Sequence, residues 1–562
     1  MLDSLRNRFV LPIDRNKRNE SGSAFGISFD LNRTKRKSSG CWSEETSGVQ
    51  DLGTLKCLED YVQCREVAQG RECPYKDSCK FDHDVQAFFA NRQPDISPMC
   101  PVWERHGYCP MGLNCRWAGS HTSSDLKPVA KPTEEQTPII EYNEIGNLLQ
   151  TLRKKTYLFT TSDSPVSSTN PPSTEPAEPT EPMDPAESPK PVGALGEAEV
   201  RPVDFRGKIY IAPLTTVGNL PFRRLCVEFG ADITCSEMAI TTNLLKGQVS
   251  EWALLRRHPC ERVFGVQIAT GRPDEARKTA ELLRREFRCD FLDLNCGCPI
   301  DVLDKMGAGA ALMGHPSKLR RILTGVLDGA ETLPVVCKLR TGDRENSLEK
   351  FVGSLAALQG RRGNRVSALT IHGRTKVGRY TKLADWEYVE KCAALAKQSA
   401  SDVQVIGNGD VFDHEMYYEH LQSGVLSGVM IGRGALIKPW ICTEIKERRH
   451  WDISAGERLE IVKRFCDYGL EHWGSDEQGV DRTRRFLLEW LSFLCRYVPV
   501  GILERPQRIN QRPFVYVGRS ELETLLGSHN AKDWIKISEM FLGPVAEGFT
   551  FIPKHKSNAY VE

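Results

Sequence analysis

From Lys208 onward, apolar and polar positions alternate between two periods. Short apolar runs of strand length are each followed by a stretch whose apolar residues recur every three or four positions, the spacing of one helix face. The runs are KIYIAPLTT from 208, ADITCSEM from 231, RVFGVQIAT from 262, DFLDLNCGC from 290, LPVVCKLRTG from 333, SALTIHGRT from 367, DVQVIGNGD from 402 and GVMIGRGAL from 428. LPFRRLCVEFG, PDEARKTAELLRREF and PSKLRRILTGVL are among the helical stretches between them. Eight such units predict an α/β fold, a closed (β/α)8 TIM barrel over residues 204–447, with an open doubly wound sheet as the competing arrangement. Outside this region the rhythm changes. Residues 1–56 are polar without sustained periodicity and carry Arg33, Lys35, Arg36 and Lys37, the pattern of a disordered tail or a nuclear address. Residues 126–203 are expected to be a linker, Pro/Ser/Glu-rich in its second half, with a short amphipathic helix from Ile139 to Tyr157. Residues 448–528 predict a helical unit and 529–562 a C-terminal extension.

A parallel barrel places its chemistry where strands end and loops admit a substrate. The strand ends here carry, in order, Thr215, Glu237 with Met238, Gln267, Asn295 with Cys298, Lys338 with Arg340, His372 with Arg374, Asn408 to Asp410, and Gly432 with Arg433. One or two of these could be caps or core polar groups, but stability alone does not account for a full ring on one face. The turns Asn408-Gly409-Asp410 and Gly432-Arg433-Gly434 predict a phosphate site after strands seven and eight. That phosphate belongs to a substrate or to a cofactor such as FMN. Lys338 and Gln267 favour the cofactor, as a cation and an amide for a flavin's pyrimidine edge. Gly307-Ala308-Gly309-Ala310-Ala311 is not a dinucleotide fingerprint, because its third glycine is misplaced.

Two further clusters change the picture. Cys64-x8-Cys73-x5-Cys79-x3-His83 is followed by Cys100-x8-Cys109-x5-Cys115-x5-His121 over residues 57–125. Each can close a tetrahedral structural zinc site, with His121 the least constrained ligand because its gap is two residues longer. These modules resemble CCCH zinc fingers, a class that binds single-stranded RNA by stacking bases on aromatic rings. Tyr75, Phe81, Trp103, Tyr108 and Trp117, interleaved with Arg65, Lys76, Lys80, Arg105 and Arg116, fit that task; a protein-docking module is the alternative. In the helical unit Arg482, Arg484, Arg485 and Arg496, then Arg505, Arg508 and Arg512, form a basic face suited to phosphates. The whole chain has 562 residues and a formal charge of only +1, so nucleic-acid binding must rest on such local patches. Nineteen cysteines without a signal peptide or long apolar span point to a reducing compartment, cytoplasmic or nuclear, with no membrane association.

The motifs Ala212-Pro213-Leu214, Ser236-Glu237-Met238, Asn295-Cys296-Gly297-Cys298-Pro299, Lys305-Met306-Gly307-Ala308-Gly309-Ala310, His372-Gly373-Arg374-Thr375 and Asn408-Gly409-Asp410 complete the set. Over residues 204–520 the chain resembles the tRNA-dihydrouridine synthases, in their zinc-finger-bearing eukaryotic dihydrouridine synthase 3 type. Leu214 stands where many members carry Met. The resemblance implies an enzyme that binds FMN, uses NADPH, and reduces the C5=C6 bond of a uridine in the variable loop of tRNA, with messenger RNA open as a further substrate. It implies FMN contacts from Pro213, Leu214, Thr215, Gln267, Lys338, His372, Asn408, Gly409, Asp410, Gly432 and Arg433. Cys298 is the implied proton donor and Cys296 the variable position. A thiol with a pKa of about 8.5 is largely protonated near neutrality, which suits a general acid. Asn295, Lys305, Arg340, Arg374, Arg484 and Arg485 are the expected substrate contacts. The target base must leave its stack, at a cost of a few kcal/mol. A monomer is expected, with the oligomeric state left open. The rival readings are an FMN-dependent reductase of a small enone or free pyrimidine, and a non-catalytic RNA-binding protein.

Overall fold

The structure, a computed structural model, describes residues 63–160, 202–503 and 513–554 apart from 379 and 381. The basic cluster at 33–37, the Pro-rich stretch and Arg505, Arg508 and Arg512 lie outside the described residues. The strands are β1 (Ile209–Ile211), β2 (Ile233–Cys235), β3 (Ala239–Ile240), β4 (Val263–Ala269), β5 (Phe291–Cys296), β6 (Val335–Arg340), β7 (Val366–His372), β8 (Gln404–Asn408) and β9 (Gly428–Ile431). All pairings are parallel, in the order β2-β1-β9-β8-β7-β6-β5-β4, and pairing of β2 with β4 closes an eight-stranded barrel. The two residues of β3 only extend the edge of β4.

Side chains alternate across each strand with period two. On β5, Leu292, Leu294 and Cys296 face the surrounding helices, while Phe291 joins Tyr210, Val336, Ala368, Ile406 and Met430 in the barrel's own core. Phe205, Tyr210 and Phe291 pack ring to ring, with centroids 5.5 to 5.9 Å apart, and plug the lower end. Above that plug the inward positions turn polar: Asp293 and Asn295 on β5, Lys338 and Arg340 on β6, His372 on β7, Asn408 on β8. Register aligns Asn295 with Lys338, and Arg340 with His372 and Asn408, so the polar residues form two successive rows.

Two expected boundaries move, and the metal-binding modules are docked. Residues 126–160 are not a loose linker. The helix there is only Leu148–Arg153, and its segment is strapped to the barrel: Asn143 Nδ2 donates to Leu255 O (2.9 Å), Arg153 Nε to Gly247 O (3.1 Å) and Thr160 N to Glu281 Oε1 (2.8 Å). The helical unit comprises α1 (Ala455–Trp473), α2 (Glu477–Leu494), the short helix Glu521–Leu526 and also α3 (Ala531–Leu542), which the sequence places in a separate extension. The second Cys3His module docks on this unit and does not hang from a tether: Arg116 N donates to Ser475 O at 2.8 Å, and Arg105 pairs with Glu471 at 2.7 Å. The first module rests on the second, where Gln69 Nε2 donates to Pro110 O. Among the described residues no helix is long and apolar enough to cross a membrane.

Candidate active site

Had β5 run on, Cys298 would share the outward face of Cys296. Asn295 prevents this. Its Oδ1 accepts from Gly297 N (3.1 Å) and Cys298 N (3.0 Å), a side-chain turn that ends the strand and brings the chain back over the rim. Arg340 Nε donates to Gly297 O at 2.6 Å and fixes the turn from the next strand. From below, Ala310 N donates to Cys298 O at 2.9 Å. That approach needs Gly309, which has φ +57° and whose Cβ would sit 2.6 Å from Cys298 O. The Cys298 side chain is half-buried beside Met238, Ala269, Leu303 and Ala308. Burial pushes its thiol up, partly opposed by the Ile300 backbone and by Arg340 and Lys338. Cys296 is wholly buried among the helices, its Sγ 3.6 Å from Cys337 Sγ.

Under the rim, Asn295 Nδ2 donates to Gln267 Oε1 (2.8 Å) and Gln267 Nε2 to Asp293 Oδ2 (2.7 Å). Asp293 was not anticipated from sequence; its inward parity on β5, two positions before Asn295, was the available signal. It has no solvent exposure, its Oδ1 lacks a partner, and burial lifts its pKa to about 6 against the pull of Gln267 and Lys338. Lys338 Nζ donates to Asn408 Oδ1 at 3.0 Å. Desolvation lowers this lysine to about 8, with Asp293 acting in the opposite sense. His372 is driven well below its ordinary range by burial and by Lys338, Arg340, Arg374 and Arg433, so its imidazole is neutral.

The two glycine turns meet. Asp410, after β8, takes Arg433 Nη2, after β9, on Oδ1 at 2.7 Å, and takes Arg374 Nη2 on Oδ2 at 2.5 Å. Gly409 has φ +142° and Asp410 φ +46°, which folds the turn back on itself. A Cβ on Gly432 would meet nothing closer than Ala212 and Leu214, at 3.8 and 3.9 Å, so a ligand can reach this backbone past the first strand end. Pro213 and Leu214 are half-buried and Thr215 is exposed at that end. Next to them Thr216 N donates to Glu237 Oε1, and Lys554 Nζ, from the far end of the chain, donates to Thr216 Oγ1 at 2.9 Å. No sequence signal linked Lys554 to the rim.

Several expected contacts are corrected. Arg374 is buried, and its guanidinium is spent on Asp410, on His372 and on Lys382 O, where it holds the loop after β7; it is not placed to take a substrate phosphate. Arg340 and Asn295 brace the Cys298 turn, with Arg340 Nη1 also donating to Thr375 O. The carboxylate of Asp410 orients arginines, and an anionic phosphate would meet those arginines first. The amide of Gln267, 1 % exposed, is engaged by Asp293 and Asn295, so it reaches a ligand only by exchanging one of them. Arg484 is 4 % exposed and turned into the fold, donating to Ser538 Oγ (2.8 Å), Leu542 O (2.6 Å) and Gly543 O (2.7 Å). It ties α2 to α3. Arg485 and Lys305 are exposed.

Both Cys3His sets assemble, each with its four ligand atoms within 4.8 Å of one another, and His121 joins the second despite its longer gap. His83 Nε2 and His121 Nε2 are shielded and have no hydrogen-bond partner, as lone pairs aimed at a metal are. Of the expected stacking rings, Tyr75 and Phe81 on the first module are 69 % and 54 % exposed. Trp117 is fully buried, Trp103 donates to Val129 O, and the Tyr108 hydroxyl accepts from Ile139 N. Those three rings are structural.

Residues 210–492 match the family model described as Dihydrouridine synthase (Dus), and residues 54–91 and 93–124 match one described as DUS3L CCCH zinc finger domain. A Mus musculus protein named as tRNA-dihydrouridine(47) synthase-like is 48 % identical over 527 residues, covering 87 % of this chain and 80 % of its own. Its Homo sapiens counterpart is 47 % identical over 533 residues, covering 87 % and 79 %. A Coprinopsis cinerea protein named as a tRNA-dihydrouridine(47) synthase is 41 % identical over 599 residues, covering 90 % and 88 %.

Proposed function

Because the chain belongs to the dihydrouridine synthase family, we propose that it reduces the C5=C6 bond of a uridine in the variable loop of tRNA, position 47 in its relatives' names, to 5,6-dihydrouridine. The observation that carries this reading is the rim itself: a neutral, half-buried thiol held by Asn295, Arg340 and Gly309 beside the inward cations Lys338 and Arg340.

FMN reduced by NADPH, when bound, supplies hydride to uracil C6. Residues of this chain suit such a cofactor. Arg433 and the backbone of the Gly432 and Gly409 turns offer charge and N–H donors to a phosphate. Lys338, braced by Asn408, sets a positive charge over the barrel floor, where a negatively charged ring edge is stabilised. Neutral His372 accepts from Arg374 on Nε2, which leaves Nδ1–H as its donor. As hydride arrives at C6, negative charge develops toward C5 and the C4 oxygen of the base. Cys298 delivers its proton to C5 and is reprotonated from solvent. The upward push on its pKa keeps the donor loaded at neutral pH. Two structural zinc ions in the Cys3His sets fix the N-terminal modules, and Tyr75 and Phe81 offer an exposed stacking surface to RNA. The free thiols of Cys226, Cys289 and Cys442 suit the reducing environment of cytoplasm or nucleus.

The test is a purified yellow protein challenged with NADPH and either unmodified tRNA or free uridine. Dihydrouridine should form in tRNA alone. Equal turnover of free uridine would favour a small-molecule reductase, and a colourless protein without NADPH oxidation would leave only RNA binding.

A further inference from the structure

We propose that His414, Glu415 and His450 form a third metal site, separate from the two Cys3His sets and from the barrel rim. His414 opens the helix His414–Glu419, four residues beyond Asp410 of the phosphate turn. His450 lies in the connector between the helix Ile441–Glu447 and α1. No sequence spacing links them, yet one ligand atom from each of the three residues falls within 4.8 Å of the others, as in the cysteine sets. His450 Nε2 is 3.7 Å from Glu415 Oε1, and the two imidazoles stand 4.5 Å apart, edge to face at 63°.

The decisive observation is what these rings lack. His414 Nδ1 and both nitrogens of His450 are shielded from solvent and have no hydrogen-bond partner. Each shielded, unmade bond leaves the desolvation of its nitrogen uncompensated. Protonating both rings does not resolve this, because two imidazolium rings with centroids 4.5 Å apart would repel. A divalent cation accepts a lone pair from each ring, and Glu415 offsets its charge. The same signature of shielded, unpartnered nitrogen marks His83 and His121 in the cysteine sets. It also occurs at His420 and His106, but His420 is stacked on Trp386, His106 Nε2 lies 3.1 Å from Glu471 Oε1, and neither belongs to a ligand cluster among the described residues.

Two imidazoles and a carboxylate select a borderline ion of the zinc type over calcium or magnesium, and leave a fourth position for water. The adjoining cleft is lined by Asp413, Lys438, His450 and Arg496, and Lys438 is neutralised by Glu444. A metal here would pin the helix that follows the Asn408–Asp410 turn to the connector entering the helical unit. The site is thus a staple between the barrel and the helical unit, with no part in the chemistry.

Zinc measured by elemental analysis on the dialysed full chain should come to three ions per molecule, the two cysteine sets plus this site. His450→Ala and the milder Glu415→Gln should each lower it, His450→Ala to two, while Cys109→Ser should leave the third ion in place. Added Zn2+ should raise the melting midpoint of chelator-treated wild type more than that of Glu415→Gln, which alters an exposed side chain and should still fold. Identical zinc content and identical Zn2+ response in wild type and both variants would overturn the site.

Discussion

Cys296 and Cys298 sit two positions apart and have unrelated environments, because the Asn295 turn intervenes. Cys298→Ala should therefore retain flavin and its reduction by NADPH but lower dihydrouridine formation about 10²–10⁴-fold in single-turnover assays on tRNA, the usual scale for losing a general acid. Cys296→Ala should change that rate little; a large loss there would mean the two thiols exchange roles. Asn295 is a positioning residue in this scheme, so Asn295→Ala should slow the step without bleaching the protein. The arginines of α2 separate in the same way. Arg484→Ala strands three acceptors and should cost about 2–4 kcal/mol in thermal denaturation. Arg485→Ala should leave stability alone and, if its exposed guanidinium meets RNA, weaken tRNA binding and reduce the salt slope by about one. Loss of affinity from Arg484→Ala at unchanged melting temperature would reverse these assignments.

At the scale of elements, the Lys305–Ala310 motif explains itself only beside β5. Gly309 lets the short segment lie against the Cys298 carbonyl, and Ala310 N caps that carbonyl. Gly309→Ala meets both a left-handed φ and a close contact, so it should destabilise by about 1–3 kcal/mol and slow reduction of tRNA more than it slows NADPH oxidation. Equal slowing of the two half-reactions would place its effect on the cofactor. The strap from 126 to 160 is an element of the same kind. Its polar composition resembles a linker, yet its backbone and Asn143 find partners on the barrel's outer helices.

At the scale of the whole molecule, Glu471 joins three parts. Its carboxylate binds Arg105 of the second Cys3His module at 2.7 Å and Arg224 of the helix after β1 at 2.6 Å. Burial alone would raise its pKa, but His106, Arg224 and Arg105 hold it down to about 2. A carboxyl depressed on folding contributes stability in full above its unfolded pKa of about 4.5 and loses it as pH falls toward 2. Docking of the module should weaken across that window, and Glu471→Gln should be less stable than wild type at pH 7 and converge on it at the acid end, read by chemical denaturation. Parallel curves at every pH would remove Glu471 from the interface. Because this module is docked and the first is not in contact with the helical unit through Glu471, Cys109→Ser should lower the melting temperature, while Cys73→Ser should mainly weaken tRNA binding.

Periodicity and spacing alone determined the eight strands, their polar ends and both ligand quartets, because each follows from a local rule: period two in a sheet, fixed gaps around a metal, glycine where backbone must approach. The tertiary structure decided everything that depends on which groups are already spent. Asp293 entered the site because Gln267 of the neighbouring strand engages its carboxylate under the rim, Arg374 and Arg484 left the list of ligand contacts because buried donors find partners within the fold, and Trp117 became core because its module is docked. The meeting of His414 with His450, and of Lys554 with Thr216, belongs to the same class. These neighbours are set by how distant segments pack, and no pattern of adjacent residues encodes that distance.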